Sequence, residues 1–301
     1  MAEHEHHHDH HHHHAHHHGH AGDALRVAAA LTVLFAIVEG LGGWLTGSLA
    51  LLSDAGHMIT DGAALGLGAV AAWMARKPPS GRHSYGLGRA EVVAALVNAA
   101  AMLAIAAGIS YEAFVRLRAP QAVNGAVAAA IAAVGLALNL WVIRRLAPHV
   151  EDMNTRAARL HVLGDALGSI AALVAGAVIA ASGWTPIDPL ASLAICVLIA
   201  LSSVRLLRES LHALMEGVPS GMSVEAIGGE MARVDGVLSV HDLHVWTLSG
   251  TRTALSAHVV VRSMGHWERT LVELQTRLHE RFGIDHVTLQ PETATRPLVR
   301  H

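Results

Sequence analysis

The chain has 301 residues, of which 52% are apolar and only 15% charged, with a formal net charge of −3. A charge this close to zero gives nucleic acid no electrostatic footing. The lone cysteine, Cys196, excludes an intrachain disulfide and any cysteine-based metal site.

The chain begins MAEHEHHHDHHHHHAHHHGH, with thirteen histidines in twenty residues. Interruptions by Glu, Asp, Ala and Gly argue against a purification tag. Residues 1–23 are expected to form a disordered tail that collects metal, because neutral imidazole is a common ligand of zinc, copper and nickel. No secretory signal pattern precedes the first apolar segment.

An apolar run of about 20 residues rises ~30 Å as a helix and crosses the hydrocarbon core of a bilayer. Six such runs are predicted, over residues 27–46, 49–74, 90–114, 124–143, 158–181 and 189–207. Gly47, Pro78, Pro79, Pro120, Pro148 and Pro186 punctuate the gaps. Residues 24–209 therefore form an all-α, six-helix transmembrane domain. Basic residues fix its orientation. Arg26, Arg76, Lys77, Arg82, Arg89, Arg144, Arg145, Arg156, Arg159, Arg205 and Arg208 lie on one side, and only Arg116 and Arg118 on the other. The positive side faces the cytoplasm, and so do both chain ends.

From residue 210 the composition changes to that of a small soluble domain, 210–301. A helical segment at 223–237 follows Ser223, a natural N-cap. Residues 237–248 and 252–262 alternate as strands around the turn Ser249-Gly250-Thr251, an amphipathic helix over 266–283 ends at Gly283, and 284–292 reads as a last strand. The order αββαβ predicts a small α+β sheet with helices on one face.

Two ionisable residues interrupt the second span. His57 and Asp61 are four apart in LLSDAGHMITDGAAL, so they stack on one helix face. A charged Asp at the bilayer centre costs roughly 2.5–3.5 kcal/mol, and such residues mark cavities or ion paths. The fifth span repeats the pattern in RLHVLGDALGS, with His161 and Asp165. Two imidazoles and two carboxylates are the four ligands a tetrahedral zinc ion takes. Independent proton-relay or packing roles for the two pairs are the alternative. Metal binding displaces protons from such ligands, so the same four groups can trade a zinc ion for protons. No phosphate-binding G-x-x-x-x-G-K-[ST] motif supplies ATP instead.

Other polar groups lie in the spans. Glu39 is a candidate for the proton path, and Asn98 and Asn139 for hydrogen bonds between helices. Gly56, Gly62, Gly66, Gly68, Gly164 and Gly168 suggest close helix packing along the second and fifth spans.

The segments IVEGLGGWLTGSLALLSDAGHMITD, HSYGLGRAE, LHVLGDALGS and VHDLHVWTL together resemble the cation diffusion facilitator family, in its zinc-exporting branch, over about residues 25–292. The resemblance implies six helices, a metallochaperone-like cytoplasmic domain for regulation and dimerisation, a homodimer, and metal/proton exchange in the plasma membrane of a bacterium. It implies no enzyme and no catalytic cofactor. Zinc is the transported substrate and a regulatory ion, cadmium and cobalt are lesser substrates, and protons and the lipid membrane are the other partners. Manganese, which prefers oxygen-rich sites, is not expected. The family's transport site falls on His57, Asp61, His161 and Asp165. A second family site, at the cytoplasmic dimer interface, falls on His241, His258 and Glu292. His244 is near, but regular alternation would put it on the face opposite His241. Gln290 stands where some members have a further histidine, and the 80–90 loop keeps only His83. Arg89 and Glu216 match positions that pair as a charge lock in some relatives. Two other classes remain as alternatives. An intramembrane metal hydrolase lacks an H-E-x-x-H motif. A membrane-anchored metal sensor or store would depend on the His-rich tail.

Overall fold

The computed structural model describes residues 18–147, 153–249 and 252–294. The expected disordered tail falls mainly on residues 1–17, outside the described residues, while 18–23 belong to the first helix. Six long helices come first: α1 (His18–Thr46), α2 (Leu49–Ala75), α3 (Ala90–Arg118), α4 (Gly125–Leu146), α5 (Met153–Ser182) and α6 (Ile187–Leu214). By length and composition α2 to α6 can each cross a membrane, and the apolar part of α1, Ala30–Thr46, is shorter. Leu34, Trp44, Leu65, Val134 and Leu201 stay well exposed on these helices, as lipid-facing side chains would. The chain is a multi-pass membrane protein with a small C-terminal α+β domain.

Two compact units divide the chain, with boundaries inside α2, α3 and α6. The first contains α1, α4 and α5, with residues 49–62 of α2, 105–118 of α3 and 187–199 of α6. Its interior is largely alanine: Ala50, Ala128, Ala132, Ala172 and Ala175 pack around Leu51. In lipid the hydrophobic effect does not drive helices together, so close backbone approach has to supply the packing. That approach lies between α4 and α5. A Cβ on Gly176 would sit 2.6 Å from the Ala129 nitrogen, and one on Gly125 2.7 Å from the Ala180 nitrogen. Of the glycines expected to serve this purpose, Gly168 lies against Asp54 of α2 and Gly62 against Val33 of α1, while Gly66, Gly68 and Gly164 have nothing within 4 Å of an added Cβ. Composition shows which helices could approach closely, but not which face has a neighbour.

The start of α2 is held by another helix. Asp188, in the first turn of α6, accepts hydrogen bonds from Ser48 Oγ at 2.6 Å, Leu49 N–H at 2.6 Å and Ala50 N–H at 3.2 Å. The carboxylate is 1% exposed. It satisfies donors that a helix N-terminus leaves open and complements the positive end of the helix dipole. Gly47 makes the tight turn before α2 with φ +75°, a conformation that costs glycine little. Its carbonyl accepts from Arg116 Nη1 at 2.6 Å. Asp188→Ala strands these donors and is expected to cost about 2–3 kcal/mol. Thermal unfolding in detergent should show a lowered midpoint, with Asp188→Asn recovering part of it.

The second unit contains the remaining parts of α2, α3 and α6, the loop between α2 and α3, and the C-terminal domain. That domain runs α7 (Val224–Met231), β1 (Val237–Ser249), β2 (Arg252–Val261), a short 3-10 turn, α8 (Trp267–Phe282) and β3 (His286–Thr293), in the expected αββαβ order. The sheet order is β1-β2-β3, with β1 antiparallel and β3 parallel to β2. Alternation sends Leu255, Ala257, Val259 and Val261 of β2 into the core. Ile227 and Met231 of α7 and Leu274 and Leu278 of α8 join the same core. Gly283 closes α8 at φ +64°. Glu230 ties α7 to α8 through Arg277 and Arg281 and also accepts from Arg233 just after α7. Burial pushes its carboxyl up, but the hydrogen bonds and charges of these arginines outweigh burial and hold it below the usual range.

Strand β1 is not regular. Asp242 has φ +48°, and the register shifts between His241 and His244. His241 pairs with His258 and His244 with Ser256, two residues apart on β2. The bulge therefore places His241 and His244 on one face, where regular alternation would have separated them. On β3, Gln290 pairs with His258 and Glu292 with Val260, so both lie on that same open face.

Candidate metal sites

The membrane site lies wholly in the first unit. On α2, His57 Nδ1 is 3.5 Å from Asp61 Oδ2, and on α5, His161 Nε2 is 3.8 Å from Asp165 Oδ2. The pairs also meet across the helices: His161 Nε2 is 3.3 Å from Asp61 Oδ2, and His57 Nε2 is 3.9 Å from Asp165 Oδ1. The two imidazoles stand edge to face at 6.1 Å. Ligands at 2.0–2.2 Å from a tetrahedral ion lie about 3.4 Å from one another, which is the scale of these separations. Donor atoms of His57, Asp61 and Asp165 all fall within 4.8 Å of one another. Asp165 is 0% exposed, while the His161 side chain is 42% exposed.

The site's polar atoms are poorly satisfied by protein. His57 Nδ1, Asp61 Oδ2 and both Asp165 oxygens are buried without a hydrogen-bond partner. Buried polar groups ordinarily find one. A divalent cation would offset the two carboxylates and use these lone pairs, so the donor set suits the ion.

A second layer was not anticipated. Asp54 and Ser169 are both 0% exposed. Ser169 Oγ donates to Asp54 Oδ2 at 3.1 Å and accepts from Asn139 Nδ2 at 3.2 Å. Asn139 thus joins α4 to α5, the kind of role expected for it. Asp54 stands three residues before His57 in the same apolar run, and the rule that singles out His57 applies to it equally. Glu39 is also 0% exposed, and neither carboxylate oxygen has a partner.

The C-terminal residues also converge. His241 Nε2 is 3.0 Å from Glu292 Oε2, and His258 Nδ1 is 2.9 Å from Glu292 Oε1. The two rings lie 5.2 Å apart. Hydrogen bonds from His258 and His241 hold the Glu292 carboxyl below the usual carboxylate range, against a smaller opposing effect of burial. Asp242, unremarked in the sequence, joins them: donor atoms of His241, Asp242 and His258 lie within 4.8 Å of one another. The bulge that turns β1 also brings Asp242 beside His241, with 3.6 Å between Nδ1 and Oδ2. His244 shares the face but is exposed.

In the α2–α3 loop, His83 is exposed and pairs with Ser80 through its backbone. Arg89 Nη2 meets Glu216 Oε1 at 3.0 Å, as the charge-lock expectation requires. Both side chains are substantially exposed, and exposed pairs contribute about 0–1 kcal/mol. A double-mutant cycle of Arg89→Ala and Glu216→Ala, read by thermal unfolding, should return a coupling in that range.

The cation efflux transmembrane domain model matches residues 25–215, and the model of the cation efflux protein cytoplasmic domain matches residues 219–294. The chain belongs to the cation efflux, or cation diffusion facilitator, family. It is 40% identical over 272 residues to zinc transporter ZitB of Yersinia pestis, covering 89% of this chain and 86% of that one. ZitB of Escherichia coli matches to the same extent, 40% over 272 residues, with the same coverage of both chains. The cadmium, cobalt and zinc/H(+)-K(+) antiporter of Bacillus velezensis is 38% identical over 266 residues, covering 86% of this chain and 85% of its own.

Proposed function

We propose that this protein exports zinc from the cytoplasm in exchange for protons, with cadmium and cobalt as lesser substrates. The observation that carries this reading is the meeting of His57 and Asp61 of α2 with His161 and Asp165 of α5, at 3.3–3.9 Å across the helices. Relatives named as a zinc transporter and as a metal antiporter support it.

The cycle follows from the donor set. With the site open to the cytoplasm, zinc displaces protons from the four side chains, because only deprotonated ligands coordinate. Two carboxylates neutralise the ion and two imidazoles favour zinc over oxygen-seeking cations. Once the site opens outward, protons from that side replace zinc. The cycle exchanges only metal–ligand and proton bonds and leaves its cargo unchanged, so the protein acts as a carrier. The reading places both termini in the cytoplasm and the protein in a bacterial inner membrane as a homodimer. His241, His258 and Glu292, with Asp242 beside them, form the regulatory zinc site on the open sheet face. The His-rich tail gathers zinc for the cytoplasmic entrance. The sensor-or-store alternative finds no support among these relatives.

The test is zinc uptake into sealed proteoliposomes under an imposed pH gradient. Uptake that follows the gradient and collapses with a proton ionophore is the expected result. Uptake indifferent to the gradient would overturn the exchange.

A further inference from the structure

Besides Asp188, which anchors α2, the first unit holds Glu39 on α1, Asp54 and Asp61 on α2, and Asp165 on α5. Asp61 and Asp165 belong to the metal site. Glu39 and Asp54 do not, yet both are 0% exposed. Both Glu39 oxygens and Asp54 Oδ1 lack a hydrogen-bond partner. The neighbouring helices leave room for these two heads. A Cβ on Gly135 of α4 would sit 2.9 Å from Glu39 Oε1, and one on Gly168 of α5 would overlap the Asp54 carboxylate. Phe35 on its own helix and Gly135 on α4 stand beside the Glu39 head, and Asp54 and Asp165 are the nearby titratable groups. Ionisable side chains buried among transmembrane helices mark functional paths, proton relays among them.

The two residues also have a definite depth. Glu39 is seven residues from the end of α1 and Asp54 five from the start of α2, both near the Gly47 turn. His57 and Asp61 follow Asp54 along α2, away from that turn. Ser169, which donates to Asp54, lies one turn beyond Asp165 on α5. Under the proposed orientation, the pair stands between the metal site and the outer end of the bundle.

We infer that Glu39 and Asp54 form a proton relay on the outer side of the metal site, passing protons inward to the ligands as zinc leaves. The step is a proton transfer only: a carboxyl O–H breaks in the pair, an O–H or N–H forms on a released ligand, and an outer proton refills the pair. This rests on the proton-exchange reading above.

Radiolabelled zinc transport in proteoliposomes of the full chain tests it in two modes. Zinc-for-zinc exchange across the membrane uses only metal-loaded states and needs no proton, whereas accumulation against a gradient does. Glu39→Gln keeps the size and hydrogen-bonding capacity of a protonated carboxyl but cannot pass a proton. The expected result is loss of pH-gradient-driven accumulation with exchange retained, and the same split for Asp54→Asn. Accumulation at the wild-type level in both variants would overturn the relay. So would parallel loss of both modes in both variants while each remains monodisperse with a wild-type unfolding midpoint. If one variant fails to fold, the other decides. A wild-type protein that exchanges zinc but never follows the pH gradient would instead overturn the antiport reading itself.

Discussion

Replacing Asp165 by alanine is expected to abolish gradient-driven zinc uptake. Asp165 is 0% exposed, contributes two unpartnered oxygens, and lies within 4 Å of both imidazoles. Its loss removes one of four ligands and half of the negative charge that neutralises the ion. Substitutions in the outer shell of a metal site already cost about 10–100-fold in affinity, so losing a ligand should cost at least that. The metal-free protein should behave differently. An unpaired buried carboxylate is a burden to the fold, and alanine removes it. Asp165→Ala is thus expected to unfold no lower than wild type in zinc-free detergent, yet to carry no zinc. Flux is the decisive readout, because the His-rich tail and the C-terminal cluster offer further metal ligands that would mask a change in total binding. Undiminished flux in the variant would remove the two-helix site from the mechanism.

His57→Asp should change what is carried more than how much. The substitution keeps a ligand at the same helical position but turns two nitrogens and two carboxylates into one nitrogen and three carboxylates. Oxygen ligands suit manganese and magnesium, whereas imidazole suits zinc, copper and nickel. Competition of cold manganese against radiolabelled zinc is expected to strengthen in this variant. The third carboxylate also adds charge to a site that already holds Asp61, Asp165 and, nearby, Asp54. An unaltered competition profile would show that ligand identity at residue 57 does not set the preference.

Much of this molecule can be read from its sequence because a membrane simplifies the problem. Inside a bilayer every backbone donor and acceptor must be satisfied locally, so apolar runs of the right length become helices. Ionisable residues stand out against such runs, which made His57, Asp61, His161 and Asp165 visible by spacing alone. The C-terminal order αββαβ was equally legible from period-2 and period-3.6 patterns. Asp54 interrupts the same apolar stretch as His57, but its partner Ser169 lies on another helix, so its role shows only in the tertiary structure.

Other features depended on which faces meet. Spacing along one helix cannot specify its neighbour, so the close approach of Gly125 and Gly176 was hidden among many other glycines. Asp188 lies 140 residues from Ser48 and reads as the first turn of α6, but the tertiary fold makes it the anchor of α2. The sharpest case is β1. Strict alternation assigns His241 and His244 to opposite faces, and a single bulged residue at Asp242 reverses that assignment. A bulge reflects the pairing of two strands, not a property of one, so only the assembled sheet could bring Asp242 beside His241, His258 and Glu292.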